Sequence, residues 1–124
     1  MLERLMRRGR VSAIMADNGF AFVFEDQFGE WILTAYAEDG PCWAPIFQVD
    51  DASPPAEGDE SSQGGWTEGY AWLLGRVPAA RLGAVTIQYN GDRFDVAPDT
   101  EGRWVWIREA PDPETPRLIP RHQA

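Results

Sequence analysis

The residues of this chain best suited to chemistry are carboxylates in adjacent pairs, Glu25-Asp26, Glu38-Asp39 and Asp50-Asp51. Two carboxyls that face each other across a cleft, one of them kept protonated, can hydrolyse a glycosidic bond. Each pair here falls where the neighbouring residues predict a turn, a place where carboxylates are solvated rather than opposed. Asp50, Asp51, Asp59 and Glu60 are oxygen ligands of the kind calcium takes, but the D-x-[DN]-x-[DN]-G spacing is absent and Pro54-Pro55 splits the acids apart. Nucleophiles are as sparse. The single cysteine, Cys42, leaves no internal disulfide and no cysteine-based zinc site, and the sole histidine, His122, stands third from the C-terminus. None of Ser12, Ser53, Ser61 and Ser62 lies in a G-x-S-x-G elbow, and "GDESSQGG" lacks the lysine of a phosphate-cradling loop. No catalytic residue, metal site or cofactor is expected, and the chain reads as a non-enzyme.

Tryptophan is the other residue type that could grip a ligand. "GRWVWIRE" at 102–109 sets Trp104 and Trp106 two apart, so in a strand both point to one side while Val105 and Ile107 point to the other. A strand apolar on both faces is the pattern of one covered on both sides, and core packing is the first reading. Trp72, Trp104 and Trp106 are also the candidates for a ligand or partner surface, whether for a sugar or for an oligomer contact. Apart from Trp104 and Trp106 the tryptophans, Trp31, Trp43, Trp66 and Trp72, are scattered over separate segments and make no linear platform.

Charge is laid out unevenly. The net charge is −9 and all 11 basic residues are arginine. Four of them, Arg4, Arg7, Arg8 and Arg10, precede Val11; from Val11 to Gly69 there is no basic residue, whereas twelve acids accumulate. The remaining seven arginines mingle with seven acids from Arg76 onward. Nucleic acid is disfavoured, because phosphate binding needs a basic face. An anionic half serves solubility, or it attracts a basic protein partner. No apolar run reaches the roughly 20 residues of a membrane-spanning helix. "MLERLMRRGR" has the charged start of an export signal without an apolar stretch behind it, so an exported form would have lost its signal upstream of Met1.

These residues must be held by short elements. Gly and Pro number 22 of 124 residues, which implies many turns and favours β structure within one domain, 1–124. A short helix is expected over 1–10, with Leu2, Leu5 and Met6 on one face, ended by Gly9. A strand meander follows over 11–49: Val11 to Met15, Phe20 to Asp26 after "DNG", 30–37 after "QFG", and 42–49 after "EDGP". Pro45 lacks a ladder donor and predicts an edge strand or a bulge. "DDASPPAEGDESSQGG" at 50–65 has no large apolar residue and is expected to be a flexible acidic loop. Residues 66–109 should form a hairpin-based sheet, entered by an aromatic strand over 66–77. Its surest part is the Asn90-Gly91 turn, which pairs Tyr89 with Asp92, Gln88 with Arg93, Ile87 with Phe94, Thr86 with Asp95 and Val85 with Val96. The tail, 110–124, is proline-rich, with Leu118 and Ile119 able to pin an edge.

The segments "DNGFAFVFEDQFGEWILTAYAEDGPCW", "YAWLLGRVPAARLGAVTIQYNGDRFDV" and "GRWVWIRE" together resemble uncharacterised small β-rich proteins of Gram-positive spore-forming bacteria. That resemblance covers most of 17–109 and implies a β-rich fold and an envelope or exported location; it carries no activity and no functional residue. The expected architecture is mainly β, a two-layer sandwich or open barrel made from the meander and the hairpin-based sheet. The expected function is a non-catalytic binding or interaction module. A cytoplasmic acidic protein that neutralises a basic partner, as immunity proteins do, is one alternative, and a carbohydrate-binding module is the other. Oligomeric state is not fixed by any of these residues.

Overall fold

The computed structural model describes residues 11–16, 18–55, 61–78 and 83–119. The helix expected over 1–10 lies outside them, as do His122 and the centre of the acidic loop. The fold is mainly β: ten strands and no helix among the described residues, in three antiparallel sheets of which none closes into a barrel. Contacts divide the chain into two compact units, Met1–Pro54 and Pro55–Ala124.

The first unit is the meander. Strands β1 (Val11–Met15), β2 (Phe20–Gln27), β3 (Glu30–Asp39) and β4 (Cys42–Val49) pair in chain order. Alternation puts Ile14, Phe22, Phe24, Leu33, Ala35 and Phe47 on one face, and all six are buried. The pairing sets large against small: Phe22 lies opposite Ala35, which leaves room for Phe47 to meet Phe22 edge-on at 6.3 Å. Ala21, Val23 and Tyr36 on the opposite face are buried as well. Pro45 does what its missing donor requires: β4 is an edge strand, and its register with β3 shifts between Ala35 and Tyr36, so that Ile46 has no cross-strand partner.

The second unit holds two three-stranded sheets. One is β5 (Ser61–Thr67), β6 (Tyr70–Arg76) and β9 (Arg103–Glu109); the other is β10 (Arg117–Ile119), β7 (Val85–Tyr89) and β8 (Asp92–Val96). The β7–β8 register is the one expected residue by residue, closed by Asn90 and Gly91 with φ of 52° and 79°, the type I′ signature. Leu118 and Ile119 pin the tail to β7. Where one strand over 66–77 is expected, the chain instead turns at Glu68-Gly69, so that 61–67 and 70–76 form a hairpin. Five residues assigned by composition to the flexible loop, Ser61 to Gly65, are therefore strand. The two sheets share one core, in which Ala71, Leu73, Trp104 and Trp106 meet Val85 and Ile87, with Trp66, Tyr89, Phe94, Val96 and Leu118 around them.

The chain leaves β8 for β9 through a turn tied by one carboxylate. Asp99 accepts hydrogen bonds from the backbone N–H of Glu101 (2.9 Å) and of Arg103 (2.9 Å) and from Arg103 Nε (3.0 Å). Burial opposes ionisation of Asp99, but the two backbone donors and the Arg103 guanidinium outweigh it and hold the carboxyl below its ordinary value. A carboxyl whose folded pKa is depressed contributes stability above its unfolded pKa and loses it as pH falls through the folded one. Asp99→Asn should therefore lower the denaturant midpoint at neutral pH, and the gap from the parent protein should close in acid. Urea midpoints measured at neutral pH and near pH 3, below the ordinary Asp value of about 3.9, check this; a gap that stays constant would remove the carboxylate from the account.

Candidate functional site

Trp72, Trp104 and Trp106 do not form an open platform. They are 3%, 2% and 2% exposed. Trp104 and Trp106 lie on the face of β9 that meets β7 and β8, while Trp72 lies on the opposite face of the same sheet with Leu74, Val105 and Ile107, all buried. The double apolar pattern of 104–107 is thus that of a strand buried on both sides, in line with the first reading of Trp104 and Trp106 as core, and the alternative of a ligand-facing row finds these three rings buried. The indole N–H of Trp72 donates to Thr67 Oγ1 at 3.1 Å. Those of Trp104 and Trp106 are buried and have no acceptor among the described residues, so neither indole N–H fixes its ring.

One end of the second unit gathers rings around a cation. The Arg108 guanidinium lies 5.3 Å from the Phe94 ring centroid and 5.4 Å from that of Trp106, and its Nη1 donates to the Ile107 carbonyl at 2.8 Å. Tyr89 and Phe94 each stand 5.4 Å from Trp106. Such a stack satisfies the arginine with π faces and a carbonyl, which fixes the strand end. Partial burial first, then the Glu114 and Asp112 carboxylates, hold the Tyr89 phenol above its ordinary value, so it is protonated at neutral pH. Glu114 also accepts from the Asn90 N–H at 3.2 Å, which ties the tail to the hairpin turn.

The carboxylates of the first unit sort to the two ends of its sheet. Register puts Glu25, Asp26 and Glu30 at the β2–β3 end, and Asp50 and Asp51 leave β4 at that same end, where the Ala52 N–H bonds the Trp31 carbonyl at 2.8 Å. Glu38 and Asp39 lie at the other end, beside exposed Cys42. Glu30, Glu38, Asp39, Asp50 and Asp51 are exposed. Among the described residues no three His, Cys, Asp or Glu side chains converge in a way that could hold a metal ion. The sequence reads all three pairs as turn residues, and the structure corrects two of them: Glu25, Asp26, Glu38 and Asp39 are paired strand-end residues, and only Asp50-Asp51 lies beyond a strand.

It passes over Phe28. "QFG" reads as a turn, and a turn it is, but the ring at its tip is fully exposed; the other exposed large apolar side chain among the described residues, Met15 in β1, is about half so. The available signal is a large aromatic in the two-residue gap between paired strands, a position that Asn, Asp and Gly usually take.

Comparison with family models, with curated proteins and with solved structures returns no match to this chain. No helix among the described residues is long and apolar enough to cross a membrane.

Proposed function

We propose that this chain is a non-catalytic interaction module whose anionic strand meander binds a basic protein partner. The observation that carries the reading is the run from Val11 to Gly69, which contains no basic residue and turns Glu30, Glu38, Asp39, Asp50 and Asp51 to solvent. Clustered charge of one sign with no counter-charge along the same stretch raises the encounter rate with an oppositely charged surface. A carbohydrate-binding role would need rings laid open along a strand, and the three tryptophans best spaced for it are buried. The absence of a histidine and of a second cysteine from this stretch favours binding over catalysis.

Capture of partners from a cell extract at low and at high salt tests the proposal. A protein rich in Lys and Arg should be retained at low salt, be released at high salt, and fail to bind the triple variant Glu30→Gln, Asp50→Asn, Asp51→Asn. Retention that ignores both salt and the triple substitution would contradict it.

A further inference from the structure

Phe28 occupies the first central position of the two-residue loop between β2 and β3, with φ of 56°, and Gly29 follows at 89°. Both values are positive and Gln27 pairs with Glu30, so the loop is a type I′ turn. A bulky side chain is disfavoured in the left-handed region, where Asn, Asp and Gly are at ease. The same turn type recurs twice in this chain, with Asn90 and Glu68 at the equivalent position. Phe28 gains no packing in return, since its ring is fully exposed. The turn is held by the Gln27–Glu30 pair behind it and by Asp26 Oδ1, which accepts from the Gly29 N–H at 3.0 Å; the Gln27 and Glu25 side chains bond each other beside it at 3.0 Å. The position thus combines an unfavourable backbone conformation, a large apolar side chain in water, and a rigid support behind it. Residues that fold poorly and pack nowhere are the ones a binding surface accounts for.

Resting on the function proposed above, we infer that Phe28 is the anchor of that interaction, a ring presented on a stiff hairpin for insertion into an apolar pocket rimmed by Lys or Arg on the partner protein. Charge complementarity selects the occupant. Glu25, Asp26, Glu30, Asp50 and Asp51 belong to the same end of the sheet as the ring. A pocket that accepts Phe28 must bring its rim against these carboxylates, so an acidic rim would be repelled and a neutral one would leave the carboxylates without counter-charge. The same acids disfavour an anionic lipid surface, and one ring buries too little to hold a bilayer by itself.

The test places the photo-crosslinking residue p-benzoylphenylalanine at position 28 of the full chain and, in a second protein, at position 39 on the opposite end of the meander. Adducts from cells are mapped by mass spectrometry, and the identified partner is then purified and titrated against the parent chain and Phe28→Asn. Asparagine suits this turn, so Phe28→Asn should fold with an unchanged or higher Tm while its affinity for the partner falls about tenfold or more. An adduct at position 28 that maps to an apolar pocket bordered by Lys or Arg, together with that loss, supports the inference. A partner captured from position 39 alone, or bound equally by Phe28→Asn, overturns the anchor and leaves the interaction reading standing. Finding no adduct from either position overturns both. Phe28-dependent binding to phosphatidylcholine vesicles, or a dimer that dissociates on Phe28→Asn, also overturns the anchor as assigned.

Discussion

Trp106→Ala should cost the second unit about 4 kcal/mol, the middle of the range for truncating a buried large aromatic. The indole is 2% exposed, touches Tyr89 and Phe94 at 5.4 Å, and carries the Arg108 guanidinium on its face. Its loss opens a cavity where the β9 strand meets the β7–β8 hairpin, and it removes half of the stack that holds Arg108. A domain of this size has a total stability of about 5–15 kcal/mol, so the loss takes from about a quarter to most of it. Trp106→Phe is the informative contrast. The Trp106 N–H has no acceptor among the described residues, and a buried unpaired donor costs about 1–3 kcal/mol, so its removal offsets much of the lost ring volume. That variant should stay within about 1 kcal/mol of the parent. Chemical denaturation followed by far-UV circular dichroism measures both. A Trp106→Ala protein as stable as the parent would show that the ring is not part of the core.

Gly102→Ala should be nearly as damaging, at about 3 kcal/mol or more, for a reason that lies in the backbone. Gly102 has φ of 84°, where an L side chain adds about 1–2 kcal/mol of strain. Its carbonyl also accepts the Val77 N–H at 2.8 Å, which pins the exit of β6 to the entry of β9. A Cβ at position 102 would land on the carbonyl oxygen of Val77, so the methyl forces that bond apart, at a further cost of about 1–3 kcal/mol. Gly91→Ala gives the control: its φ of 79° is similar, but nothing lies within 4 Å of the added carbon. The difference between the two denaturation midpoints isolates the clash from the strain, and equal midpoints would refute the close approach.

How much of this was legible beforehand depended on how local the cause was. The β7–β8 hairpin could be aligned residue by residue because Asn90-Gly91 fixes the turn and the apolar pairs Ile87–Phe94 and Val85–Val96 forbid a slip. Pro45 announced an edge or a bulge, and β4 has both, since a missing N–H acts through its own residue. β5 was hidden. "SSQGG" carries neither alternation nor β-branched residues, and it is a strand because of what lies beside it: a Cβ at Gly64 would meet the Trp72 carbonyl oxygen and the Leu73 side chain, so the glycine permits a backbone approach that composition registers as looseness. The Glu68-Gly69 turn was missed for a related reason, as glutamate is a weak turn signal although its φ of 49° completes a type I′ loop.

The candidate site was less legible than the fold. Trp104 and Trp106 alternate with Val105 and Ile107, a pattern that both a core strand and a binding strand can carry, and only the presence of a second sheet over one face decides between them. Phe28 was overlooked because a large aromatic is expected to be buried wherever it occurs, and its exposure follows from the register that places it in a two-residue turn.

Three of the tryptophans serve the interior, and the function proposed leaves recognition to the acidic exterior. The six indole N–H signals in a 15N heteronuclear NMR spectrum test this most directly, recorded during hydrogen exchange and during titration with the captured basic partner. The indoles of Trp72, Trp104 and Trp106 should exchange slowly and shift little, while the amides of Glu30, Asp50 and Asp51 move. Rapid exchange at Trp104 and Trp106, with those two signals moving first on titration, would contradict the account.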